Sequence, residues 1–224
     1  MGKKEPVIKT KRLIIQPMTN EGIQHAIKVE SKEEMKAAYE EMLLGCMENE
    51  EDRIWYAPWK MTLKKEGISL GELGFKGSTK EHSVEIGYGI REEYEGNGYT
   101  TEAVGALMDW AFRQKDVVFI EAETEPENKA SQRVLEKLGF VFDREGKEGP
   151  RFVAEQPLTN WMSIYMLFGL SIGMSLGSAA DKIGVGMSLG MCIGMCIGIA
   201  LDSYLKKDRE KLKEERKTKP EENE

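Results

Sequence analysis

Two rhythms of apolar and polar positions alternate along the first two thirds of the chain, and a third replaces them near residue 160. Val7 to Pro17, VIKTKRLIIQP, is β-branched and ends on a proline that cannot donate to a ladder, which predicts a first strand. Glu21 to Met47 then repeats with a helical period, rich in Ala, Met, Glu and Lys, and predicts two helices broken near Ser31, with Thr19 or Asn20 as the first cap. Arg53 to Trp59 and Met61 to Leu63 read as strand, Pro58 marking an edge or bulge, and Ile68 to Lys76 reads as another. Ser83 to Ile90 is a further strand, followed by a glycine turn and a helix from Thr100 to Gln114. Asp116 to Thr124 predicts a strand in which Val118, Ile120 and Ala122 face the core. Asn128 to Leu138 predicts a short helix ended by Gly139, and Phe140–Arg144 with Arg151–Glu155 a hairpin turning at Gly146–Gly149. The order is that of an α/β (α+β) domain built on one mixed sheet.

The stretch Glu93 to Ala103, EYEGNGYTTEA, is the centre of this pattern. Gly96 and Gly98 let backbone approach a ligand closely, and the helix behind them presents unpaired N–H groups and the positive end of its dipole. That is an anion site of the kind that takes a phosphate.

Of the 224 residues, 40% are hydrophobic and 32% charged, a globular balance, and the net charge of −7 gives a nucleic-acid role no electrostatic support. Met1 to Lys11 has no apolar run, and Pro6 breaks the myristoylation pattern, so the beginning of the chain reads as carrying no secretory or lipid signal. Cys46, Cys192 and Cys196 are odd in number and form no CxxC, which points to reduced thiols, a cytosolic compartment and no metal site. His25 and His82 are the only histidines, one in a helical stretch and one in a charged turn, and no Ser–His–Asp set accompanies them.

The opening TKRLIIQPMT, the stretch EIGYGIREEYEGNGYTTEAV (Glu85 to Val104) and the stretch ETEPENKASQRVLEKLGF (Glu123 to Phe140) together resemble the GNAT superfamily of acyl-CoA-dependent N-acetyltransferases, in its ribosomal-protein N-acetyltransferase-like subgroup. The resemblance covers roughly residues 7 to 155, with Gln16 standing where the family usually has Arg and Glu93 where it has Gln or Arg. It implies a sheet whose two central strands splay apart around acetyl-CoA as cosubstrate, with no metal, and an amine as second substrate. Main chain at Tyr88, Gly89 and Ile90 would line the pantetheine arm. Gly96, Asn97, Gly98, Tyr99 and Thr100 would hold the pyrophosphate, and Asn128 would touch the cofactor or its water. Glu123 stands at the place of a proposed base, Glu85 on the neighbouring strand is its rival, and Ser131 stands at the place of the acid. The alternative is a domain that binds acyl-CoA as a sensor without turnover.

From Trp161 the composition changes. Trp161 to Ala180 is twenty uncharged residues and Ile183 to Leu201 nineteen, each about 30 Å long as a helix, the thickness of a bilayer core. Glycine recurs every fourth residue, at Gly169, Gly173 and Gly177, then Gly186, Gly190, Gly194 and Gly198. Each interior glycine costs a helix in water roughly 1 kcal/mol against alanine, whereas in lipid the same spacing lets two helices close on one another. The pattern predicts a glycine-zipper hairpin turned at Ser178–Gly184: two transmembrane helices, the packing core of a homo-oligomer, or a hairpin lying outside the bilayer. Asp202 to Glu224 holds eight basic and eight acidic residues, so the negative charge belongs to the N-terminal part. Basic residues on both sides of the hairpin place both ends in the cytoplasm, with the acidic domain at the inner membrane face. The divisions are residues 1–156, 157–205 and 206–224, with Lys206–Lys217 extending the last helix and unfolded chain beyond it.

Overall fold

In a computed structural model describing residues 5–218, the sheet begins with a small hairpin. β1 (Ile8–Lys9) pairs antiparallel with β2 (Leu13–Pro17), so the single strand expected over Val7–Pro17 is two. Thr10 makes the break: its main-chain N–H donates to the Leu13 carbonyl at 3.0 Å, and its hydroxyl accepts from the Leu13 N–H at 2.9 Å. A side chain that satisfies the backbone locally turns the chain where a ladder would otherwise run on.

α1 (Asn20–Val29) is capped by Thr19, whose hydroxyl accepts from Gly22, and α2 (Glu33–Glu48) follows the break at Ser31. The strand expected from Arg53 starts later. Arg53–Trp55 is a 3-10 turn, and β3 runs Trp59–Leu63. Trp55 and Tyr56 bond back to Asp52 and Arg53, which swings the Trp55 ring to 4.8 Å from Phe75 and 5.3 Å from Trp110. Burial of these aromatic faces outweighs the β-propensity of the segment. β4 (Ser69–Phe75), β5 (Ser83–Ile90), α3 (Tyr99–Ala111), β6 (Phe119–Glu123), α4 (Lys129–Lys137), β7 (Val141–Glu145) and β8 (Pro150–Glu155) complete the domain.

The strand order is β1-β2-β3-β4-β5-β6-β8-β7, and among the described residues only β5 and β6 run parallel. β6 is buried on both faces, Phe119 as fully as Ile120, rather than on the one face that alternation predicted. It lies inside the sheet between β5 and β8, under helices, where strands lose their polar alternation. Trp59, Leu73, Ile86, Val104, Leu107 and Ile120 form the main core between the sheet and α3, while Ile23 and Tyr39 belong to a smaller core under α1 and α2.

The chain divides into two compact units, Met1–Gln156 and Pro157–Glu224. The second is a helical pair, α5 (Trp161–Ala179) and α6 (Ile183–Thr218). Lys206–Lys217 extends α6 without a break, and Lys217 and Thr218 close it; the unfolded tail expected further on lies outside the described residues. A Cβ built at Gly169 or Gly190 would collide with the carbonyl of the other, and one at Gly173 with that of Gly186. Gly194 and Gly198 meet the backbones of Tyr165 and Met162 in the same way. The two helices therefore touch backbone to backbone along the glycine faces. Asp202 tightens the open end by accepting from the N–H groups of Trp161 and Met162 at the start of α5.

Candidate active site

β5 and β6 share only three register pairs, Ser83 with Phe119, Val84 with Ile120 and Glu85 with Glu121. Beyond Glu85 the strands part. β5 continues to Ile90 paired on its other edge with β4, and β6 continues to Glu123 paired with β8. The main chain of Tyr88, Gly89 and Ile90 therefore faces a V-shaped gap inside the sheet, and Gly89 is exposed although its strand is an interior one.

At the mouth of this gap lies the glycine turn. Gly96 and Gly98 both have φ 73°, the left-handed region, and Gly98 is the N-cap of α3 without a capping side chain. Among the described residues the N–H groups of Gly98, Tyr99, Thr100 and Thr101 find no acceptor, and a Cβ at Gly96 would meet nothing within 4 Å. A strand edge with free amide groups beside an uncapped helix N-terminus fits an extended amide-bearing arm ending in a diphosphate. Asn97, between the glycines, folds its side chain back onto the carbonyls of Tyr94 and Glu95.

Arg12 adds a cation that the local motif does not contain. Its Nε lies 2.6 Å from the Glu102 carboxylate in the first turn of α3, its Nη1 donates to the Asn97 carbonyl at 3.0 Å, and its guanidinium sits 4.4 Å from the Tyr99 ring centre. Thr10 and the Arg12 main-chain N–H also donate to Glu102. The only sign of this in the sequence is the KR pair of the TKRL opening.

Glu85 and Glu123 come together through a residue that sequence reasoning missed. Arg151 on β8 reaches Glu85 at 2.8 Å, Glu121 at 2.8 Å and Glu123 at 3.9 Å, and Lys76 reaches Glu85 at 2.6 Å. Glu123 also accepts from the N–H groups of Glu148 and Gly149 in the β7–β8 turn. Both candidate bases are thus held by cations, and Glu123 by main-chain donors as well. Asn128 caps α4 by accepting from the Ser131 N–H at 2.9 Å. The Ser131 hydroxyl lies 2.8 Å from the Tyr88 phenol, which also reaches the Ser131 carbonyl. Burial pushes the Tyr88 phenol above its ordinary value, against the opposing effect of the Ser131 hydrogen bond. Among the described residues no group of His, Cys, Asp and Glu is arranged to hold a metal.

Comparison with known proteins converges on one family. Residues 12–141 match the family model described as an acetyltransferase (GNAT) domain. The Bacillus subtilis protein YjdG, named an uncharacterized N-acetyltransferase, is 34% identical over 91 residues, 40% of this chain and 54% of its own length. The chain spans about half the length of the curated relatives it matches. Among solved structures, the Vibrio fischeri ribosomal-protein-S5-alanine acetyltransferase aligns with TM-score 0.54 at 20% identity over 67% of this chain and 97% of that one. The ribosomal L7/L12 alpha-N-protein acetyltransferase RimL, in complex with coenzyme A, aligns with TM-score 0.50 at 14% identity over 67% and 98%. At these identities the structures speak for the fold.

Proposed function

The chain belongs to the GNAT acetyltransferase family, and from that premise we propose that it moves an acetyl group from acetyl-CoA to a primary amine by direct attack in a ternary complex. The observation that supports this most strongly is the parting of β5 and β6 beyond Glu85 beside the uncapped start of α3. A structural neighbour's complex with coenzyme A supports the identity of the cosubstrate.

On this reading, the main chain of Tyr88, Gly89 and Ile90 pairs with the pantetheine arm. The N–H groups of Gly96, Asn97, Gly98, Tyr99 and Thr100, with the α3 dipole and Arg12, hold the pyrophosphate. The Asn128 amide group not spent on the cap faces the cofactor or its water. Acetyl-CoA bound there supplies the acetyl group as a thioester, whose sulfur leaves as thiolate when the amine attacks. The amine must lose a proton, and Glu123 or Glu85 accepts it directly or through water. The hydroxyl pair of Ser131 and Tyr88 returns a proton to the sulfur. The roles are tested with the full chain in detergent by following CoA release against a panel of primary amines. An acetyl-CoA-binding protein inert toward the whole panel would overturn the reading. Unchanged rates in Glu123→Gln, Glu85→Gln and Ser131→Ala would remove the proton-transfer assignments.

The division of labour that goes with this is a catalytic unit over residues 1–156, an apolar hairpin over 157–205 and a charged tail. α5 and α6 are each long and apolar enough to cross a membrane, and Phe168, Leu176, Val185 and Leu189 point outward from the pair. With the glycine faces occupied by each other, these side chains are left for lipid, and basic residues flanking the hairpin favour both ends in the cytoplasm. Homo-oligomers would have to use the outward aliphatic faces. Carbonate extraction of membranes tests the hairpin: full chain recovered in the soluble fraction would refute it.

A further inference from the structure

One carboxylate of the sheet stands apart from the network around Arg151. Glu72 on β4 is register partner to Lys60 on β3 and to Gly89 on β5. Its side chain is half-buried in a cleft of about 320 Å³ between α1 and the sheet, lined by Met18, Ala26, Tyr39, Lys60, Glu72 and Arg91 among others. The Tyr39 hydroxyl donates to the Glu72 carboxylate at 2.9 Å. Among the described residues no lysine or arginine nitrogen comes within 4.0 Å of that carboxylate. Glu85 and Glu123, by contrast, each have a guanidinium nitrogen within that distance. Glu30, the other acid of the cleft, spends its carboxylate on the N–H groups of Ser31 and Lys32.

One strand separates Glu72 from the V-shaped gap: its register partner on β5 is Gly89, whose main chain faces that gap. Glycine occupies positions 87 and 89, and a Cβ at either would meet nothing within 4 Å, so at these two positions β5 puts no side chain on the face it shares with Glu72. Glu72 therefore offers an anion without an ion-pair partner, oriented by one phenol, across the open side of the strand whose other edge lines the gap.

We propose that Glu72, oriented by Tyr39, is the carboxylate that receives the acceptor's primary ammonium group, and that the acceptor passes to the gap over Gly89 and Gly87. The proposal rests on the acetyl-transfer reading and adds the group that selects the amine. A cation entering a half-buried cleft needs a fixed counter-charge to replace its hydration, and a carboxylate already tied to arginine supplies less of one. Burial raises the Glu72 carboxyl above its ordinary value, against the Tyr39 hydrogen bond and the charges of Lys60 and Arg91, with Glu30 adding to the rise. Lys60, Arg91, Glu30, Tyr39 and His25 are the titratable groups facing the cleft.

The test compares wild type, Glu72→Gln, Glu72→Asp and Tyr39→Phe in the full chain. Butylamine and a tetra-alanine amide with a free N-terminus are the acceptors, and CoA release is the readout. Glu72→Gln, nearly isosteric, is expected to keep its acetyl-CoA affinity and melting temperature or better, while the KM for amine rises roughly tenfold or more. Glu72→Asp should recover part of that loss, and Tyr39→Phe should show a smaller rise. In wild type the amine KM should climb on acidification as the raised Glu72 carboxyl gains its proton, although the probe amines stay fully charged, and this limb should be missing in Glu72→Gln. A wild type that turns over the probes with a Glu72→Gln KM within twofold of it overturns the Glu72 assignment alone. A wild type that turns over neither overturns the acetyl-transfer reading and this inference with it.

Discussion

Arg12 and Glu102, ninety residues apart in sequence, meet at 2.6 Å and tie the first hairpin of the sheet to the start of α3. The same guanidinium holds the Asn97 carbonyl, so one side chain braces the glycine turn at its middle and at the helix behind it. A turn built on two left-handed glycines has little stiffness of its own, and Arg12 supplies it from outside.

Arg12→Ala should therefore weaken acetyl-CoA binding by roughly tenfold, read by calorimetry, because the loop loses both its brace and a nearby cation. The unfolding free energy should fall by no more than about 1 kcal/mol, since the pair is partly exposed. Arg12→Lys should recover little, as an ammonium cannot reach Glu102 and Asn97 with one planar fork.

The same pair makes stability depend on pH. Burial alone would raise the Glu102 carboxyl, but hydrogen bonds from Thr10 and Arg12 outweigh it and hold it below 4.5. A carboxyl depressed in the folded state stabilises the protein above the unfolded value, and that contribution is lost as pH falls through the folded value. Melting temperature plotted against pH should thus drop on acidification below 4.5 more steeply in wild type than in Glu102→Gln.

Glu72 has the opposite sign. Its folded value is raised, so the carboxylate is a burden on the fold at neutral pH, relieved when a proton binds. Glu72→Gln should raise the melting temperature at pH 7, and the difference should shrink as the pH is lowered toward the ordinary carboxylate value. The variant with the impaired acceptor site should be the more stable one, measured by thermal denaturation across pH.

Ser131→Ala and Tyr88→Phe act on one hydroxyl pair. Either should lower kcat by roughly 10- to 100-fold with little change in amine KM, and the double variant should be hardly worse than the single ones. Additive losses would mean the two hydroxyls work separately.

In the hairpin, Gly190→Leu would drive its side chain into the backbone of α5, whereas a Cβ at Gly184 meets nothing within 4 Å. The first should lower the thermal stability of α5–α6 helicity in detergent, followed by circular dichroism, and Gly184→Leu should leave it close to wild type.

Much of the N-terminal unit could be read in the sequence because its signals are local. Thr19 caps α1, the chain breaks at Ser31, Gly96 and Gly98 adopt the turn their lack of Cβ allows, and Asn128 caps α4. Where reading failed, a distant contact decided. Trp55 leaves the expected strand to join Phe75 and Trp110, and Phe119 is buried although alternation put it outside. Of the candidate site, the sequence points to Tyr88 and Ser131 but not to their pairing, and nothing in it marks Arg151.

What the sequence determined by itself is periodicity and turn chemistry: which segments are helix or strand, where glycine opens the backbone, and that two apolar stretches carry glycine at every fourth position. Those depend on neighbours within a few residues. Which charges meet was settled only by the tertiary structure. Arg12 reaches Asn97 and Glu102, Arg151 gathers Glu85, Glu121 and Glu123, and Glu72 meets the Tyr39 hydroxyl. A long side chain finds its partner across strands brought together by core burial, and nothing in its own stretch of sequence encodes that address.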